Sequence, residues 1–176
     1  MLSIAYSWVD VDVLAGETRT PSFLHLNPAG QVPVIVFEDG RTLAQSNAII
    51  LYLARGSALI PDDDFERARM FEWLFWEQYS HEPYIAVARF QMRFLGKSKA
   101  DLDPRLFERG AAALERMEGA LARSNFLLGE ALSLADIALV AYTRAAGDGG
   151  FDLDRYPAVT AWISRVEAAV PIADPR

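Results

Sequence analysis

The sequence predicts an α+β protein in two parts, and three observations carry that reading. Period-two alternation from Trp8 to Val13, and an Asp39-Gly40 turn between two β-rich runs, place strands within the first sixty residues. Beyond Pro61-Asp62-Asp63-Asp64 no strand signal recurs, and apolar residues return every three to four positions. The 176 residues are 52% hydrophobic and 23% charged, too apolar for disorder and long enough for one domain or two small ones.

Taken in order, Trp8-Val9-Asp10-Val11-Asp12-Val13 puts three valines on one face and two aspartates on the other, as a half-buried strand does. Thr20-Pro21 supplies an N-cap and a first-turn proline for a short helix through Phe23, Leu24 and Leu26, which Asn27-Pro28-Ala29-Gly30 ends. Val32 to Phe37 and Arg41 to Leu43 flank Glu38-Asp39-Gly40 as a hairpin. Ser46 to Ala54 reads as a helix with Ile49, Ile50 and Leu53 in a stripe and Gly56 as its stop.

The second part is predicted to be all helix. Phe65 to about Leu95 is one long apolar-rich stretch that Pro83 should kink or split, because proline lacks an N–H and clashes with the preceding turn. Asp103-Pro104 opens a helix through Phe107, Ala111, Leu114, Met117 and Leu121. Ser133 and Asp136 form a capping box, stapled by Leu132 and Ile137, for a helix expected to reach about Ala146 before Gly147. A last helix runs from Pro157 to Val170, closed by Pro171.

Several function classes are excluded. Seventeen basic against twenty-four acidic residues give a net charge of −7, the wrong sign for nucleic acid or an anionic membrane surface. Cysteine is absent, which removes disulfides, thiolate metal sites and a cysteine nucleophile. His25 and His81 are far apart in sequence, with no carboxylates at ligand spacing, so no metal site is expected. Neither a signal peptide nor a membrane span is visible, and a cytoplasmic location is the expectation.

Three segments together resemble cytosolic glutathione transferases: Asn27-Pro28-Ala29-Gly30-Gln31-Val32-Pro33, Gln45-Ser46-Asn47-Ala48-Ile49, and the Ser133 to Asp136 capping box. Trp76-Glu77-Gln78-Tyr79-Ser80-His81-Glu82-Pro83 looks like a bacterial branch of that family. The resemblance spans roughly Trp8 to Val170. It implies a truncated thioredoxin-like domain at 1–56, a linker at 57–64, and an all-helical domain at 65–176.

The resemblance also implies a site for glutathione, as co-substrate, at Gln31, Val32, Pro33, Gln45 and Ser46. In the family the proline matching Pro33 is cis, turning the backbone of Val32 outward to pair with the ligand's cysteinyl backbone; alternatively, Pro33 only starts an edge strand. Ser46 begins a helix whose free N–H groups and dipole would accept the γ-glutamyl carboxylate, and it can also serve as a plain N-cap. Gln45 stands where many members carry an acid that holds the ligand's amino group; its amide brings hydrogen bonds without charge.

The family begins with a strand and helix ahead of the segment matching Trp8 to Val13, and its thiol-activating Tyr, Ser or Cys sits at their junction. Only seven residues precede Trp8 here, against roughly 20 for such a unit. No catalytic residue is therefore assigned, with Ser3, Tyr6 and Ser7 as possible substitutes. Without the intervening strand, Trp8 to Val13 must shift inward, receive a strand from a partner chain, or lose its order. His25 could reach a ligand carboxylate or be a partly exposed loop histidine. Tyr84, Arg89, Arg93, Trp76 and Phe90 either line a pocket for an electrophilic small molecule or belong to core and dimer interface. The apolar surface of Phe65 to Leu95 predicts a homodimer. Two functions of different class follow: a glutathione transferase whose conjugation is impaired in this chain, or a non-catalytic binding or dimerisation module.

Overall fold

A computed structural model describes Leu2 and residues 4–170. Ser3 and Pro171 lie outside the described residues. The chain divides into two compact units, Met1–Ser57 and Ala58–Arg176.

In the first unit, α1 (Pro21–Leu26) starts as its residues dictate: the Thr20 hydroxyl accepts from the Phe23 N–H at 3.3 Å, and Pro21 occupies the first turn. Strands β1 (Val34–Val36) and β2 (Thr42–Ala44) pair antiparallel, Val34 opposite Ala44 and Val36 opposite Thr42. Phe37 N–H extends the ladder to the Arg41 carbonyl at 2.9 Å. Gly40, at φ 82°, closes the loop with its N–H on the Phe37 carbonyl, a left-handed position that glycine takes without steric cost. Helix α2 (Ser46–Leu53) packs on the sheet, its Tyr52 ring edge-on to Phe37 at 5.1 Å.

The expected strand at Trp8 to Val13 does not form. Trp8 and Val9 are 73% and 78% exposed, and the chain turns at Asp12, whose carboxylate accepts from Ala15 N–H. Alternation supplies a strand's faces but not its partner. A segment whose backbone finds no ladder gains nothing from extended order.

In the second unit, α3 (Asp64–Trp76) is capped by the Asp63 carboxylate, which accepts from Phe65 and Glu66 N–H. Pro83 splits the long stretch as anticipated, and the means is a π-helical segment, Glu77–His81, leading into α4 (Glu82–Arg89). The Glu82 N–H bonds the Glu77 carbonyl, five residues back. That wider turn accommodates the proline ring, which cannot sit in an unbroken α-helical ladder. A second π-helical segment, Phe90–Phe94, follows α4.

Helices α5 (Pro104–Leu121), α6 (Leu134–Thr143) and α7 (Pro157–Ala169) complete the unit. Helix α6 ends at Thr143, short of the expected Ala146. The chain leaves the helix to lay Gly149 against α4, where a Cβ would meet the Arg89 N at 2.9 Å. Met70, Leu74, Leu114, Met117, Leu139, Val159, Trp162 and Val166 form the core between α3, α5, α6 and α7. No described helix is long and apolar enough to cross a membrane, and no described group of three His, Asp or Glu could hold a metal ion.

Candidate functional site

The first unit brings together the residues that sequence reasoning selected. Ladder register sets Val34 opposite Ala44, so Val32-Pro33 and Gln45-Ser46 emerge at the same end of the hairpin. The Val32–Pro33 peptide is cis. The Val32 side chain is 46% exposed, and among the described residues its N–H and carbonyl have no backbone partner. They are therefore available to a ligand's own amide groups, in the manner of an added strand.

Asn27, which sequence reading took as a helix stop and as the start of the Asn27 to Pro33 motif, organises the approach to this segment. It is buried, its amide donates to the Gln31 carbonyl at 2.6 Å, and its Oδ1 accepts from Ala29 N–H at 3.1 Å. The sequence signal was an asparagine before Pro28, which favours such a side-chain turn. Gly30, at φ 62°, takes a left-handed conformation that strains other residues, and a Cβ there would lie 3.0 Å from the Thr18 carbonyl. Gln31 itself has an exposed side chain held by its tethered backbone.

Gln45 rather than Ser46 is the N-cap of α2, and it makes no side-chain capping bond. Ser46 is instead the first helical residue. Gln45 has φ 71° and ψ 115°, a backbone conformation that costs a non-glycine residue on the order of 1–3 kcal/mol. It turns the chain from β2 directly into α2, leaving no position for a conventional cap. The first helical bond runs from Ile49 N–H to the Gln45 carbonyl at 2.9 Å, so the Ser46 and Ala48 amides precede the ladder. The dipole's positive end and the exposed Ser46 hydroxyl lie together at that turn, a setting that favours an anion.

The other candidates stand apart. His25 sits in the last turn of α1, exposed, and not in a loop. Tyr6 is exposed, as is Ser7. In the second unit Arg89 pairs with Asp148 at 3.2 Å and lies over Phe94, which also receives Arg93 and the Phe90 ring. Trp76 packs edge-on to Trp73, with the Arg116 guanidinium over both rings.

Known proteins bear directly on this geometry. Residues 2–55 match the family Glutathione S-transferase, N-terminal domain, and residues 71–169 match Glutathione S-transferase, C-terminal domain. The chain belongs to the glutathione S-transferase family. A glutathione S-transferase structure from Pseudomonas fluorescens Pf-5 is 48% identical, with a TM-score of 0.92 over 95% of this chain and 84% of that one. The disulfide-bond oxidoreductase YfcG of Escherichia coli K12 is 31% identical over 174 residues, 93% of this chain and 79% of its own length. A glutathione transferase homologue from Sulfitobacter, solved with bound glutathione, is 26% identical with a TM-score of 0.79, over 95% of this chain and 83% of that one. This family member thus has an α+β glutathione S-transferase fold, a thioredoxin-like unit followed by a helical one.

Proposed function

We propose that this chain binds glutathione at Gln31, Val32, Pro33, Gln45 and Ser46, and that as it stands it conjugates glutathione to electrophiles only slowly. The observation that carries the binding is the unpaired backbone of Val32 beside the open first turn of α2. Val32 would pair with the cysteinyl amide, Ser46 and the α2 amides would hold the γ-glutamyl carboxylate, and Gln45 would accept from the amino group. Conjugation forms a bond between the ligand's sulfur and an electrophilic carbon, whose leaving group departs. The attacking species is the thiolate. A free thiol has a pKa of about 8.5, so the reaction at neutral pH needs a donor that favours the anion.

The resemblance assigns no described residue to the family's thiol-activating position, and lack of one such donor would cost about 100- to 1000-fold in rate by analogy with oxyanion-hole donors. Disulfide chemistry, which the Escherichia coli relative's name denotes, would meet the same demand: this chain has no cysteine, so the sulfur would be the ligand's. A cytoplasmic homodimer using the exposed aromatic face of α3, Phe65 and Phe75, completes the reading.

The test is retention on immobilised glutathione together with turnover of a reactive aryl halide. Retention that Ser46→Ala weakens, with turnover near the uncatalysed rate, is the expected pair of results. Failure to bind sinks the proposal. Rapid turnover abolished by Tyr6→Phe or Ser7→Ala would overturn its catalytic half and identify a substitute donor.

A further inference from the structure

The second unit carries more positive charge between α3 and α5 than its fold uses. A cavity of about 320 Å³ opens there, lined by Arg69, Glu72 and Trp73 of α3, by Glu115 and Arg116 of α5, and by Arg123 just past the end of that helix. The volume is that of a small-molecule site, at the lower end of the usual range. Part of the wall is bare. Gly119 of α5 faces open space, where an added Cβ would meet nothing within 4 Å.

In a chain of net charge −7, three guanidiniums share this one cavity. Arg116 is fixed in place: it lies over the Trp73 and Trp76 rings at 4.9 and 4.6 Å and pairs with the Glu72 carboxylate at 3.1 Å. Stacking takes the flat face of a guanidinium and leaves its in-plane N–H groups to donate, so donors remain on Arg116. Arg69 and Arg123 have no ion-pair or hydrogen-bond partner among the described residues, although two carboxylates line the same cavity. A single carboxylate has two oxygens and one charge, which satisfy one guanidinium fork. A phosphate carries about −1.5 to −2 charges at neutral pH and three strong acceptor oxygens, enough for two forks at once. Glu72 and Glu115 narrow the choice further. A compact dianion can sit among the guanidiniums, whereas an extended acidic segment or a nucleic acid would lie across both carboxylates.

We infer that the cavity between α3 and α5 is a binding site for a phosphate dianion, free or as the monoester of a small molecule, with Arg69 and Arg123 as its main donors and Arg116 as a fixed third. All of these residues belong to the second unit, so the occupant is distinct from the glutathione proposed for the first.

The probes are phenyl phosphate and inorganic phosphate, titrated calorimetrically into the full chain at fixed ionic strength, with chloride as the balancing anion and no glutathione present. Saturable one-to-one binding is expected, with a change in tryptophan emission because Trp73 and Trp76 lie against Arg116. Tighter binding of phenyl phosphate identifies a monoester as the occupant; equal affinities identify the free ion. Arg69→Gln and Arg123→Gln should each weaken binding at least about tenfold. Neither arginine has a partner to lose, so their unfolding midpoints should match that of the unmodified chain. Glu115→Gln removes a repelling carboxylate and should strengthen binding about threefold. Absence of saturable binding overturns the inference. Binding that both arginine variants retain in full overturns it too, as does benzoate, a single carboxylate, binding as tightly as phenyl phosphate.

Discussion

A single buried histidine is expected to set the acid limit of this protein. His81 is fully buried, and its Nε2 lies 2.9 Å from the Thr143 hydroxyl. That hydroxyl donates to the Leu139 carbonyl at 2.6 Å, so it accepts from Nε2–H, and Nδ1 is left without a partner among the described residues. Burial pushes the His81 pKa down to about 4. An unfolded chain takes up the proton near 6.5, so the stabilising neutral form is fully effective above that pH and its contribution is lost as pH falls toward 4. The difference is about 3 kcal/mol. Urea midpoints should drop over this window in the native protein and much less in His81→Asn; parallel profiles would show that another group governs the acid transition. Asp136 makes a second case. It accepts from Ser133 N–H and Oγ–H, from Leu127 N–H and from Trp162 Nε1–H. Ser133→Ala should cost about 1 kcal/mol, the usual price of a lost cap. Asp136→Ala strands two further buried donors and should cost at least about 3 kcal/mol. Equal losses for the two variants would mean the longer-range bonds contribute nothing.

Among the elements, those whose signals are local were legible and those that depend on a distant partner were not. Thr20-Pro21, Asp39-Gly40 and the Ser133 to Asp136 box each close their own hydrogen bonds within a few residues, and α1, the hairpin and α6 begin where those residues place them. Trp8 to Val13 carries equally regular alternation, yet its backbone needs a neighbouring strand that its own pattern cannot supply. At the candidate site, the cis Val32–Pro33 bond was legible through the family's motifs, and so was the helix start at Ser46. The strained backbone of Gln45 was not, because it is imposed by the join of β2 to α2. Helix α7 shows the same limit. Tyr156, its N-cap, gives no side-chain bond; the Glu118 carboxylate of α5 instead accepts from the Ala158 and Val159 amides at 3.0 and 2.9 Å. Nothing near Pro157 announces a cap forty residues away. Glu118→Ala should therefore cost about 1–2 kcal/mol and loosen the packing of Trp162, with Glu118→Gln intermediate. A thermal midpoint and tryptophan emission unchanged in Glu118→Ala would show that α7 is held by packing alone.

Over the whole chain, stability is distributed unevenly. Among the described residues the buried apolar side chains of the first unit are Phe23, Ile49 and Ala54, whereas the core of the second includes Trp162, Met70, Leu74, Ile85 and many more. A unit of some sixty residues hides a smaller share of its surface than a larger one and is marginal on its own. Among the described residues its sheet has only two strands. We therefore predict two unfolding transitions in urea, the first unit melting at lower denaturant. Tyr52 and Trp8 would report the early step, Trp162 and Trp73 the late one. Since the proposed glutathione contacts all lie in the first unit, ligand should move only the early transition. At a free concentration one hundred times the dissociation constant the gain is about 2.7 kcal/mol, provided the unfolded unit does not bind. Hydrogen exchange resolves the two steps residue by residue: the Ile49 amide should gain protection with glutathione while that of Leu139 does not. An early transition indifferent to glutathione would remove the site from this unit, and one transition seen alike by all four rings would show that the two units unfold as one.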